Sequence, residues 1–246
     1  MYHVVGYHRP ASLAEAVRLL AADGRVALAG GVHMHHDGGA APAEVVDLQA
    51  VGLDTVDVAG PTATLGATVR LQALVDDERI PTVVREAARA EQPSALRTLA
   101  TVGGTIATAS GDSLLLAALL VHDGVVLLAT ADHGERSVSL SDLLANGRRH
   151  GEVIVGVTIQ ISGSGAIART GRTPRDVPIV GAVGRRDADQ TEDRRRLALC
   201  GVGDTPVLVE SGGLGSIQPI DDHRATASYR RHLAEVLCAR VLAELA

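Results

Sequence analysis

Two double-glycine segments, Ala29-Gly30-Gly31 and Thr101-Val102-Gly103-Gly104-Thr105, constrain this chain more than any other feature. Each follows an apolar, strand-like stretch and leads into polar residues. Glycine tolerates positive φ and lets bare backbone approach a ligand. Successive N–H groups in such a turn form a nest for anions. Two nests that face each other can hold a diphosphate without a cationic side chain. Either segment also reads as a plain turn at a strand end, and neither matches G-x-G-x-x-G.

Composition narrows the chemistry. All 23 basic residues of the 246-residue chain are Arg. With no Lys, a Schiff base, a Walker-type phosphate loop and a lysine general base are excluded. Tyr2, Tyr7 and Tyr229 are the only aromatic residues, and the net charge is −6. That combination disfavours a nucleic-acid partner, which needs stacking platforms and a basic channel. Cys200 and Cys238 are too few for an iron–sulfur cluster or a four-cysteine zinc site, and they are expected as free thiols in a reducing compartment. No signal pattern opens the chain and no apolar run approaches ~18 residues. The expectation is a soluble, cytoplasmic protein with no membrane span.

Local signals divide the chain into three parts. Ser12-Leu-Ala-Glu15 is a capping box, followed by apolar residues at helical spacing up to Gly24. Short strands over Arg25–Ala29 and Val45–Leu48 complete a β-α-β unit in the first ~50 residues. From Val51 to about Arg149 the reading is a hairpin around Gly60-Pro61, helices at Leu71–Val75, Pro81–Ala90 and Leu114–Leu120, a buried strand Val125–Ala129 and a helical turn Ser141–Ala145. After a polar linker, Arg148–Gly151, the pattern turns antiparallel. Val153–Ile161, Val177–Gly184 and Leu197–Val202 read as strands, and Ala227–Leu245 as a closing helix. Arg185–Arg196, rich in both charges, reads as a solvated hairpin loop.

Three further features carry candidate chemistry. Asp112 precedes the Leu-rich helix, where it can cap the helix or accept a hydrogen bond from a ribose or ribityl hydroxyl. His33-Met-His-His-Asp37 contains metal-ligand residue types, yet one short loop without a second ligand cluster reads better as pocket lining. No Ser–His–Asp or Cys–His arrangement stands out.

Together these residues resemble the FAD-binding medium subunit of molybdenum hydroxylases of the carbon monoxide dehydrogenase and xanthine dehydrogenase type. Tyr7–Ala16, Leu28–Gly31, Thr101–Ala107, Asp112 with its helix, Gly151–Ile154, Arg172–Val180 and Ala227–Leu233 carry the resemblance, in order along nearly the whole chain. It implies an α+β fold: a two-part FAD-binding domain like that of p-cresol methylhydroxylase and vanillyl-alcohol oxidase, then a smaller antiparallel α+β C-terminal domain. The parts are residues 1–50, 51–150 and 151–246, the last shortened between Leu208 and Asp221. The implied cofactor is noncovalent FAD, its pyrophosphate between Ala29, Gly30, Gly31, Val32 and His33 on one side and Thr101, Gly103, Gly104 and Thr105 on the other. Asp112 would hold a cofactor hydroxyl, Leu144 would pack on the flavin, and Arg169 would lie near it as the nearest cation. On this reading a branched side chain at Gly103 or Gly104 occupies the space the phosphates need.

The implied partners are an iron–sulfur small subunit and a molybdopterin large subunit, with FAD relaying electrons to NAD or another acceptor. Val32-His33-Met34 departs from the Ser/Thr- or Asp-containing continuation usual after the first Gly-Gly. Two other readings stay open: a stand-alone FAD-dependent oxidase or dehydrogenase on the same fold, and a flavin-free structural or binding subunit.

Overall fold

The computed structural model describes residues 3–32, 42–171, 173, 176–187, 195–209 and 213–246. Three sheets organise them. The first is built from β1 (His3–His8), α1 (Leu13–Leu20), β2 (Arg25–Leu28) and β3 (Pro42–Asp47). Its strand order is β1-β3-β2, and both pairings are parallel. The Ser12 hydroxyl accepts from the Glu15 N–H, while the Glu15 carboxylate reaches back to the Ala11 N–H. Reciprocal capping of this kind fixes where α1 begins. Its buried Ala16, Val17 and Leu20 then pack with Val46 and Leu48.

The second sheet follows the order β4-β5-β8-β6-β7 with every pairing antiparallel. It comprises β4 (Val56–Ala59), β5 (Thr62–Gly66), β6 (Val125–Thr130), β7 (Gly134–Ser139) and β8 (Val153–Gln160). Between β5 and β6 lie α2 (Leu71–Asp76), α3 (Thr82–Glu91), α4 (Ser94–Arg97), α5 (Val102–Thr108) and α6 (Leu114–Val121); α7 (Leu140–Asn146) follows β7. All eight residues of α6 are buried. A helix apolar all round must be enclosed, and α6 is enclosed by α3 on one side and the last sheet on another. The strand expected after the Arg148–Gly151 linker, β8, is hydrogen-bonded into the middle of this second sheet.

The third sheet, β12-β11-β10-β9, is antiparallel throughout. Its strands are β9 (Ser164–Thr170), β10 (Val180–Arg186), β11 (Arg195–Cys200) and β12 (Val207–Val209), and α8 (Ala227–Glu244) packs across it. Arg185, expected in a solvated loop, is instead buried at the end of β10. Its guanidinium bonds Asp123 at 3.0 Å, Asp187 at 2.5 Å and the carbonyls of Ser162 and Val121. Arg196 reaches the same Asp123 at 2.5 Å. These ion pairs fasten the third sheet to the end of α6; residues 188–194 of that segment lie outside the described ones. Among the described residues, no helix is long and apolar enough to cross a membrane. Both cysteines are buried and unbridged.

Two close backbone contacts position the elements around β2 and α5. A Cβ on Gly30 would lie 1.9 Å from the carbonyl oxygen of Leu99. A Cβ on Gly103 would lie 2.8 Å from the carbonyl oxygen of Ala67 and 2.7 Å from its Cβ. Only glycine permits either approach. The space a branched residue at Gly103 would invade is therefore filled by Ala67, and the expectation that phosphates require it is corrected: Gly103 seats α5 on β5's continuation. Gly104 differs, because its Cβ would meet only the Thr101 hydroxyl, at 3.0 Å.

Buried titratable groups add a pH dependence. His122 is 1% exposed, and its Nδ1 lies 2.5 Å from the Gln160 carbonyl oxygen. Desolvation lowers its pKa from 6.5 to about 4, so the ring is neutral in the folded protein. Glu91, whose carboxylate accepts from the Leu115 N–H, is pushed up to about 7 by desolvation. As pH falls from 6.5 to 4, the unfolded chain takes up the His122 proton first, and stability from this group is lost. Glu91 acts in the opposite sense over 4.5 to 7.

Two predictions follow from this packing. His122→Gln should remove its share of the acid loss, so that wild type minus variant changes by about 3 kcal/mol between pH 7 and pH 4 in denaturant titrations; a pH-independent difference would contradict it. Gly103→Ala should lower the thermal midpoint by roughly 4–8 °C, from about 2 kcal/mol of overpacking, and Gly104→Ala by clearly less. Equal midpoints for the two variants would refute the close approach at Ala67.

Candidate functional site

A cleft of about 510 Å³ opens between the loop after β2, the start of α5 and the segment before β8. Ala29, Gly30, Gly31 and Val32 line it from one side, and Thr101, Gly103 and Gly104 from the other. The two glycine segments, 70 residues apart in sequence, thus share one cleft. They are not equivalent within it.

The first segment is an open turn. Gly31 has φ +73°, which favours glycine, and Gly30 is pressed against Leu99. Among the described residues, the N–H groups of Gly30, Gly31 and Val32 have no backbone acceptor. The second segment is the first turn of a helix, not a turn after a strand. Its donors are consumed: Val102 N–H bonds the Val69 carbonyl at 3.0 Å and Gly103 N–H the Ala67 carbonyl at 2.8 Å. Gly104 N–H bonds the Thr101 hydroxyl at 3.1 Å, and Thr105 N–H the Thr101 carbonyl at 3.0 Å. A nest with every N–H occupied offers an anion nothing, so the picture of two facing nests reduces to one.

The remaining candidates fall in different places. Thr105 is buried under α5, its hydroxyl bonded to the Thr101 carbonyl at 3.2 Å. Asp112 is away from the cleft and pairs with Arg224 at 2.6 Å. It is not the cap of α6 either; Ser113 is, accepting from the Leu116 N–H at 3.1 Å. Leu144 sits on α7 and packs against the main core. Arg169, on β9, lines a second cavity of about 610 Å³ together with Arg89 and Arg97, so it is not the cation nearest the glycine turn. His33, and with it the His33–Asp37 loop, lies outside the described residues.

Sequence reasoning missed the cations that do line the cleft: Arg148, Arg149 and His150. The signal was available as three adjoining cation-forming side chains, read as a linker. Glu152 organises the segment. Its buried carboxylate takes Arg136 at 2.7 Å through one oxygen and the Arg149 backbone N–H at 2.8 Å through the other. Its carbonyl accepts from the Arg148 guanidinium at 2.9 Å. Desolvation pulls the Arg148 guanidinium below its ordinary value, opposed by Glu152. Arg25 also lines the cleft, but Glu44 holds it at 2.8 Å.

This site fits a dinucleotide on its own terms: open amide donors at a positive-φ glycine turn, facing cationic side chains, in a cleft long enough to run from the first sheet to α5. Comparison with known proteins bears on the fold and the family. The uncharacterized protein YgfM of Escherichia coli (strain K12) is 28% identical over 216 residues, covering 81% of this chain and 79% of its own. A reconstituted CO dehydrogenase from Oligotropha carboxidovorans has a TM-score of 0.90 at 22% identity, covering 100% of this chain and 98% of that one. Quinoline 2-oxidoreductase from Pseudomonas putida 86 has a TM-score of 0.87 at 22% identity, covering 98% and 96%. At such identities the likeness establishes the fold, a mixed α/β architecture with antiparallel sheets. The sequence itself carries the assignment further: residues 3–159 match the FAD binding domain in molybdopterin dehydrogenase, and the chain belongs to that FAD-binding family.

Proposed function

We propose that this chain is the flavoprotein subunit of a molybdenum hydroxylase, an FAD-dependent oxidoreductase component that passes electrons from iron–sulfur clusters to NAD or another acceptor. The observation that carries the reading is the cleft in which an open glycine turn with unpaired amides faces cationic side chains. Membership of the FAD-binding family and the likeness in fold to CO dehydrogenase and quinoline 2-oxidoreductase support it. The finer architecture that goes with this reading is a two-part FAD-binding domain of the p-cresol methylhydroxylase type over residues 1–50 and 51–150, with 151–246 as the closing domain, whose first strand, β8, pairs into the second sheet. In this scheme the partners are an iron–sulfur small subunit and a molybdopterin large subunit, and the complex works in the cytoplasm.

Within the cleft, Gly30, Gly31 and Val32 donate backbone N–H groups to the diphosphate, flanked by Ala29; His33, also a candidate, lies outside the described residues. Thr101 and Gly104 form the opposite wall, and Gly103 and Thr105 keep that wall in place through their own internal bonds. When bound, FAD would supply a centre able to take up electrons one at a time, as iron–sulfur clusters deliver them, and to give them up as a pair to an acceptor such as NAD. The chain's part is to hold and orient the cofactor and to exclude water from it. With no Phe or Trp, the ring system packs on aliphatic side chains. Asp112, in the loop before α6, Leu144 on α7 and Arg169 on β9 lie outside the lining of the cleft, so their contact with the cofactor requires the flavin end to extend past α5.

The absorption spectrum of the purified protein tests this directly. We expect a flavin spectrum, with released FAD close to one per chain. A colourless protein that cannot be reconstituted with FAD would contradict the reading and leave a structural role. Co-purification with an iron–sulfur and a molybdopterin subunit separates the subunit from a stand-alone oxidase or dehydrogenase.

A further inference from the structure

We propose that Arg148 and Arg149 form the cationic half of the dinucleotide site, holding the diphosphate against the Gly30–Val32 amides. The proposal rests on the FAD reading above and goes beyond it by assigning the charge that balances the phosphates.

Charge bookkeeping across the cleft carries the inference. A dinucleotide diphosphate brings two negative charges, and a site that holds it by charge must counter them. No Lys exists to do so, and the α5 amides are committed to Val69, Ala67 and Thr101. Of the cations lining the cleft, Arg25 is neutralised by Glu44. Glu152, the carboxylate lining it, is neutralised by Arg136. Among the described residues, no carboxylate lies within ion-pair distance of Arg148 or Arg149. The surplus is two positive charges, equal and opposite to a diphosphate.

The segment is also anchored so that the guanidinium of Arg149 is left to the cleft. Glu152 uses its second carboxylate oxygen on the Arg149 backbone N–H, at 2.8 Å, and not on its side chain. Arg148 spends one guanidinium nitrogen on the Glu152 carbonyl, at 2.9 Å, keeping its full charge. Gly151, at φ +74°, makes the bend that turns the chain from this segment into β8. Guanidinium is suited to the task because its planar fork of donors matches phosphate oxygens.

The test uses the full-length chain after removal of its flavin. FAD and riboflavin are titrated by flavin fluorescence at low and high salt, with inorganic pyrophosphate as competitor. Arg148→Gln/Arg149→Gln should weaken FAD roughly tenfold to a hundredfold, leave riboflavin unchanged, flatten the salt dependence and abolish competition by pyrophosphate. Arg148→Lys/Arg149→Lys, which keeps the charge, should recover most of the affinity, and unchanged thermal midpoints establish that both variants fold. FAD affinity and salt dependence equal to wild type in the Gln double variant would overturn the proposal while leaving the FAD reading intact. Failure of the wild-type chain to bind FAD would overturn the reading itself.

Discussion

Backbone contact at Gly30 seats the first sheet's loop against the segment leading into α5, contact at Gly103 seats α5 against the end of β5, and the cleft lies between the parts so placed. Each glycine lets a carbonyl, of Leu99 or Ala67, approach where any Cβ would collide. Close packing of this kind transmits position faithfully, since interiors deform little. The loop after β2 is thereby seated against the segment leading into α5, and α5 against the end of β5. Arg70 reinforces the junction, bonding the Leu99 carbonyl at 2.5 Å and Gln49 at 2.9 Å. Gly103 thus acts on the fold, and so does Gly30, whose N–H has no backbone acceptor among the described residues.

The cleft is asymmetric. One wall has amides to give; the other has none, because helix α5 consumes them in its own capping and in the bonds that seat it. A protein without lysine must then find its positive charge in arginine, and the Arg148–Gly151 segment delivers it. Glu152 is the reason this segment is ordered, since a buried carboxylate must be satisfied and here it is satisfied by Arg136 and by the segment's own backbone. Burial of a carboxylate for this purpose is a device of positioning more than of stability.

Much of the fold was legible because its signals are local. The Ser12–Glu15 capping box and the unbroken apolar run of α6 define helices without reference to anything distant. The strands that escaped notice, β1, β7, β9 and β12, are edge strands of their sheets. An edge strand such as Gly134–Ser139 needs neither alternation nor burial, so its sequence carries little pattern. Val102-Gly-Gly-Thr-Ile106 read as a turn after a strand, yet it folds as a helix because Ala67, 36 residues earlier, accepts the Gly103 N–H. Asp112 has the residue type of a cap, but Arg224 from the far end of the chain claims it and Ser113 caps instead. Arg148 and Arg149 read as a linker for the same reason: their partner Glu152 is local, but the cleft they line is made by residues distant in sequence, Ala29–Val32 and Thr101–Gly104.

The central claim is that the two glycine segments differ in their free amides, and amide-resolved hydrogen exchange measures that difference most directly. Without FAD, Gly30, Gly31 and Val32 should exchange quickly and Gly103, Gly104 and Thr105 slowly. Added FAD should protect the first set and leave the second as it was. Rapid exchange at Gly103–Thr105 in the flavin-free protein, with protection appearing there on FAD binding, would contradict the account and restore two facing nests.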